Sequence, residues 1–69
     1  MIEVFKTNIV DENTAKTVLD DLAILLPNAY INFDLEDCDK ILRIKNCSVH
    51  LDLVVGILNK NGFYCEPLQ

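Results

Sequence analysis

The spacing of apolar residues changes period along this chain in an order that few folds accommodate. Strand-like alternation and helix-like spacing succeed one another as strand, helix, strand, strand, helix, strand. Residues 2–7, Ile-Glu-Val-Phe-Lys-Thr, alternate with Ile2 and Val4 on one face and read as a strand. Asp11-Glu12-Asn13-Thr14 then places acidic and capping residues where a helix begins. A carboxylate at Asp11 accepts free first-turn N–H groups, and its charge suits the positive end of the helix dipole. Ala15, Val18, Leu19, Leu22, Leu25 and Leu26 follow at helical spacing until Pro27-Asn28 stops the run.

Residues Tyr30 to Leu35 alternate again, with Ile31, Phe33 and Leu35 pointing one way. A polar turn, Glu36 to Asp39, joins them to Ile41–Lys45, where Leu42 and Ile44 point inward; together they predict an antiparallel hairpin. Ser48 suits the N-cap of a second helix bearing Leu51, Val54, Val55, Ile57 and Leu58, and Gly62 ends it where a left-handed residue is wanted. Gly56 inside that helix costs about 1 kcal/mol against alanine, which predicts close packing around it. Phe63 to Glu66 reads as a last strand closed by Pro67. Right-handed crossovers place both helices on one face of a four-stranded antiparallel sheet of order 4-1-3-2. The expectation is a single ferredoxin-like α+β sandwich over residues 1–69.

Charge narrows the function classes. Eleven acidic residues against six Lys and Arg give a net charge of −5. Phosphate backbones and anionic membrane surfaces select the opposite sign, so neither nucleic acid nor membrane is an expected partner. No apolar run approaches the roughly 18 residues that span a bilayer. The N-terminal stretch lacks the charged-then-apolar pattern of a signal peptide. Three cysteines without a C-x-x-C do not make the even-numbered framework of a secreted scaffold, so a cytoplasmic protein with free thiols is expected.

With these elements in order, the chain resembles a heavy-metal-associated domain, the fold of copper chaperones and of the N-terminal modules of metal-transporting ATPases. The family's first strand ends in Gly-Met-Thr-Cys-x-x-Cys; the matching stretch here is Asn8 to Thr14, with Val18 four residues further on. Its V-x-V-D-L-E is matched by Ile31-Asn32-Phe33-Asp34-Leu35-Glu36, and its A-I-x-x-A-G-Y by Ile57 to Phe63. The likeness covers essentially the whole length and implies the same fold. The family's two metal-binding cysteines fall on Asp11 and Thr14. A soft cation such as Cu(I) is held by thiolates, whereas a carboxylate and a hydroxyl are hard, weak partners for it. The expected reading is a degenerate metal site with no cofactor.

Other residues offer less chemistry. Cys47-x-x-His50 sets a thiol at a helix start with an imidazole one turn on, but two ligands are not four. The hairpin Asp34 to Asp39 is acidic, yet it lacks the central glycine and final glutamate of a calcium loop and reads as a solvated turn that discourages edge pairing. Cys65 is expected in the core as a small hydrophobe. No nucleophile–base pair or glycine-rich phosphate loop appears, and the only arginine, Arg43, is expected on the open sheet face, so no enzyme is expected. By alternation that face carries Phe5, Tyr30, Ile41 and Tyr64 beside Arg43, a patch suited to a protein partner or a homodimer. The sequence therefore points to a non-catalytic interaction or regulatory module. The alternative is a metal-binding or metallochaperone-like protein using unusual ligands.

Overall fold

The computed structural model describes residues 2–45 and 50–68. The chain runs β1 (Ile2–Thr7), α1 (Glu12–Leu25), β2 (Tyr30–Asp34), β3 (Ile41–Lys45), α2 (Leu51–Lys60) and β4 (Cys65–Leu68). The strands form one antiparallel sheet of order β2-β3-β1-β4, the expected order, with the sequence-distant β1 and β3 at its centre. Both helices contribute to a core with one face of this sheet, so the α+β ferredoxin-like arrangement is the observed one. No helix among the described residues is long and apolar enough to cross a membrane.

Helix α1 forms as its sequence dictates. Ala15, Val18 and Leu22 are buried along one stripe, and Leu26 closes it at the C-cap, where its N–H donates to the Leu22 carbonyl at 2.8 Å. Leu25, expected in that stripe, is half-exposed, because the buried arc is narrower than six apolar positions. Helix α2 buries Val54 and Leu58. Its N-cap is His50, which makes no side-chain cap bond; the expected cap, Ser48, lies outside the described residues. At the other end the Gly62 N–H donates to the Asn59 carbonyl (2.9 Å) and the Phe63 N–H to the Leu58 carbonyl (2.8 Å). This paired pattern needs a left-handed residue after the cap, and Gly62 supplies it with φ of +89°.

Two local expectations fail. Gly56 is exposed, and a Cβ built on it meets nothing within 4 Å, so close packing does not explain it. Gly56→Ala is therefore expected to raise stability by about 0.5–1 kcal/mol in urea denaturation, because alanine lowers the entropy of the unfolded chain. An unchanged or lowered midpoint would contradict the open environment of that position. The last strand also begins two residues later than expected and runs through Pro67, which lies opposite Phe5. Edge position explains this: no strand among the described residues pairs with the outer side of β4, so a residue without an N–H is tolerated there.

The largest correction concerns the faces of β1. Phe5 is fully buried, opposite Leu42 of β3, whereas Ile2 is 50% exposed. Two inward sets were open to this strand. Ile2, Val4 and Lys6 inward would put an ammonium under the helices; Glu3, Phe5 and Thr7 inward leaves Glu3 half-buried near the strand's start. The second set also satisfies Thr7, whose hydroxyl donates to the Lys40 carbonyl at 2.6 Å and accepts from the Ile9 N–H at 3.2 Å. Lys6 decides the parity. Phe5, Ile9, Val18, Leu22, Leu42, Ile44, Val54 and Leu58 are the largest fully buried side chains among the described residues.

Candidate functional site

Three places gather the residues that the sequence singled out: the loop before α1, the β2–β3 hairpin and the open sheet face. In the first, Asp11 is the extended N-cap of α1. Its Oδ2 accepts from the Thr14 N–H at 2.9 Å and from the Thr14 hydroxyl at 2.8 Å. Asp11 and Thr14 are thus side by side at the start of α1, bonded to each other. The Thr14 hydroxyl, then the Thr14 N–H, hold the Asp11 carboxyl below the usual aspartate range by stabilising its ionised form. A folded pKa below the unfolded one stabilises the fold above the unfolded value, and that contribution fades as pH falls through the folded value. Asp11→Ala should therefore lower the melting temperature by roughly a few degrees at neutral pH. The gap to the unmodified protein should close near pH 2; thermal melts at both pH values check this, and an equal gap at both would contradict a charged cap.

In the hairpin, one donor atom each of Asp37, Cys38 and Asp39 lie within 4.8 Å of one another. The loop already uses much of this donor set. Asp37 Oδ1 accepts from the Asp39 N–H at 2.8 Å, and Asp39 Oδ1 faces Lys6 Nζ at 3.6 Å. Lys40, at a left-handed φ of 49°, donates its N–H to the Asp37 carbonyl and its Nζ to the Leu35 carbonyl at 2.9 Å. The loop is therefore a braced acidic turn. Cys38 is exposed at the hairpin, whereas Cys65 is buried on β4 at the far edge of the sheet, where burial pushes its thiol up to about 11. His50 is exposed ahead of α2, and its companion Cys47 lies outside the described residues.

The open sheet face differs from the expected patch. Phe5 belongs to the core, as shown above. Ile41 does lie on the open side, between its register neighbours Lys6 and Asp34, but it is only 6% exposed. Tyr30 and Tyr64 are well exposed yet sit at opposite edges and opposite ends of the sheet, Tyr30 level with Ile2 of β1 and Tyr64 beside Asn8 beyond its other end. Tyr64 is fixed there: its N–H donates to Asn8 Oδ1 and its hydroxyl to Glu66 Oε1, which raises its pKa. Arg43 is on this face, 3.6 Å from Asp34. What the alternation assigned to the wrong side is an aliphatic strip: Val4 lies opposite Leu68, and Ile2 is two residues along on the same strand. Lys6 was the available signal for it, because a lysine must face water and therefore turns Ile2 and Val4 outward with it.

Comparison with protein-family models, with curated proteins and with solved structures finds no match to this chain.

Proposed function

We propose that this chain is a non-catalytic protein-interaction module, similar to heavy-metal-associated domains but with its metal loop closed by an Asp11–Thr14 oxygen pair. It meets a protein partner or a second copy through the open sheet face. The carrying observation is the strip of exposed Ile2, half-buried Val4 and exposed Leu68 on β1 and β4. Exposed aliphatic side chains that adjoin one another mark contact surfaces more than scattered ones do. The chain's charge of −5 argues against nucleic acid as the partner, and its unpaired cysteine number favours the cytoplasm.

Sedimentation velocity over a wide concentration range tests this reading. The unmodified protein should self-associate, and Val4→Glu should weaken that association by about tenfold or more while circular dichroism stays unchanged. A protein that is monomeric throughout would remove the homodimer and leave only a foreign partner. One observation favours metal handling as a second reading, the convergence of Asp37, Cys38 and Asp39. Native mass spectrometry of the reduced protein with Cu(I) and Zn(II) separates the two readings. Retention of one ion against a strong chelator, lost in Cys38→Ser, would favour metal handling over the module.

A further inference from the structure

Two hollows lie end to end along the β2 side of the molecule. One, of about 370 Å³, opens between Glu12, Lys16 and Leu19 of α1 and the stretch from Phe33 to Glu36. The other, of about 270 Å³, opens between Leu19 and Ala23 of α1 and the stretch from Ala29 to Ile31. Leu19 lines both, so they form one groove between α1 and β2. The sequence builds it. Ala15, Leu19 and Ala23 recur every four residues and make a row along α1. The two alanines leave the room that larger side chains would fill. Below them Ile31, Phe33 and Leu35 stay half-buried, although Leu42 and Ile44 on the neighbouring strand are fully buried.

The groove runs along an unguarded sheet edge. Among the described residues only β3 pairs with β2, so alternate residues of β2 turn their N–H and C=O groups outward. Natural edges are blunted by proline, lysine, bulges or short length. Strand β4, at the opposite edge, has four residues and Pro67. Strand β2 is Tyr-Ile-Asn-Phe-Asp, with neither proline nor lysine. Its one charge, Asp34, is paired with Arg43 on the open face. The acidic hairpin expected to discourage edge pairing therefore lies beyond the strand, which pairs with β3 without interruption over all five residues.

We propose that the groove between α1 and β2 receives an extended segment of a partner protein, which joins the sheet as a fifth strand beside β2. The lining selects its chemistry. Glu12 and Glu36 outnumber Lys16 at one end, the Asp34 carboxylate being turned to Arg43 on the open face, while the end around Ala23, Ala29 and Ile31 carries no charge. Side chains on one face of a strand recur about 6.6–6.8 Å apart. Apolar residues at two alternate positions therefore lie over Ile31 and Phe33, and a lysine or arginine at the next alternate position reaches the carboxylates. Backbone pairing supplies affinity, and the hollows supply specificity. This surface is separate from the open sheet face.

The test is selection of a phage-displayed random nonapeptide library on the reduced full-length protein, followed by titration of the enriched peptide. The expected family alternates apolar residues and carries a lysine or arginine at one end, and the peptide shifts the β2 amides in NMR spectra. Ala23→Arg, an exposed change to a good helix former, should weaken binding by about tenfold or more by filling the groove. Glu36→Lys, in the loop, should weaken it by about threefold or more at low salt, whereas Val4→Glu should leave it unchanged. Circular dichroism confirms that each variant is folded. The proposal is overturned by the absence of an enriched family, by a peptide whose shifts map to the sheet face, or by β2 shifts that follow protein concentration alone. The last result would mean that a second copy occupies the edge.

Discussion

Phe5→Ala is expected to leave the domain largely unfolded at physiological temperature. The ring is fully buried on the central strand β1, opposite Leu42 and Pro67. Truncating a buried phenylalanine costs about 3–5 kcal/mol in lost transfer energy and residual cavity. Native stability of about 0.05–0.15 kcal/mol per residue gives a 69-residue chain roughly 3–10 kcal/mol in all. The loss is therefore comparable to the whole margin. Phe5→Glu should be worse, because it adds an unpaired charge to the core. Val4→Ala, one residue away on the opposite face, should cost far less. Urea denaturation followed by circular dichroism measures all three, and a folded Phe5→Ala beside a collapsed Val4→Ala would reverse the assignment of the two faces.

Thr7→Val should destabilise by about 1–3 kcal/mol although the side chain keeps its shape. Thr7 is the one buried polar residue among those described, and its hydroxyl serves two backbone groups from different segments. Its own N–H donates to the Asp39 carbonyl at 3.1 Å, so the end of β1 is stitched to the β2–β3 loop twice. A valine leaves the Ile9 N–H and the Lys40 carbonyl without this partner, and it loosens the loop that holds Lys40 in its left-handed conformation. Thr7→Ser, which keeps the hydroxyl, should recover most of the stability. Faster amide exchange at Ile9 in the valine variant would localise the effect; a neutral Thr7→Val would show that the two hydrogen bonds contribute little.

The periodicities of the chain carried the architecture. Alternation in Ile31, Phe33, Leu42 and Ile44, helical spacing in Val18, Leu22, Val54 and Leu58, and punctuation at Pro27 and Gly62 were enough for element order and topology. Asp11 was legible as a cap because capping is decided within four residues. What misled was β1, where apolar residues occupy both parities. There the choice rests on what the far-off β3 and β4 place opposite, and only the lysine hinted at it. The acidic hairpin that holds Asp37, Cys38 and Asp39 was legible as a contiguous run, but the groove along β2 was not: it depends on a fold that returns separate segments to one place, such as Ala23 to Ile31.

Pro67 has a consequence for how copies of this molecule can accumulate. A sheet open at both edges can recruit neighbours without limit and grow into a filament, because each addition exposes a fresh end. Closing one edge changes the arithmetic. With β4 sealed by a residue that offers no donor, any copy that attaches does so through β2 and presents only another sealed side. Edge-to-edge growth then stops at two copies, and a single ring at position 67 separates a terminating species from a propagating one.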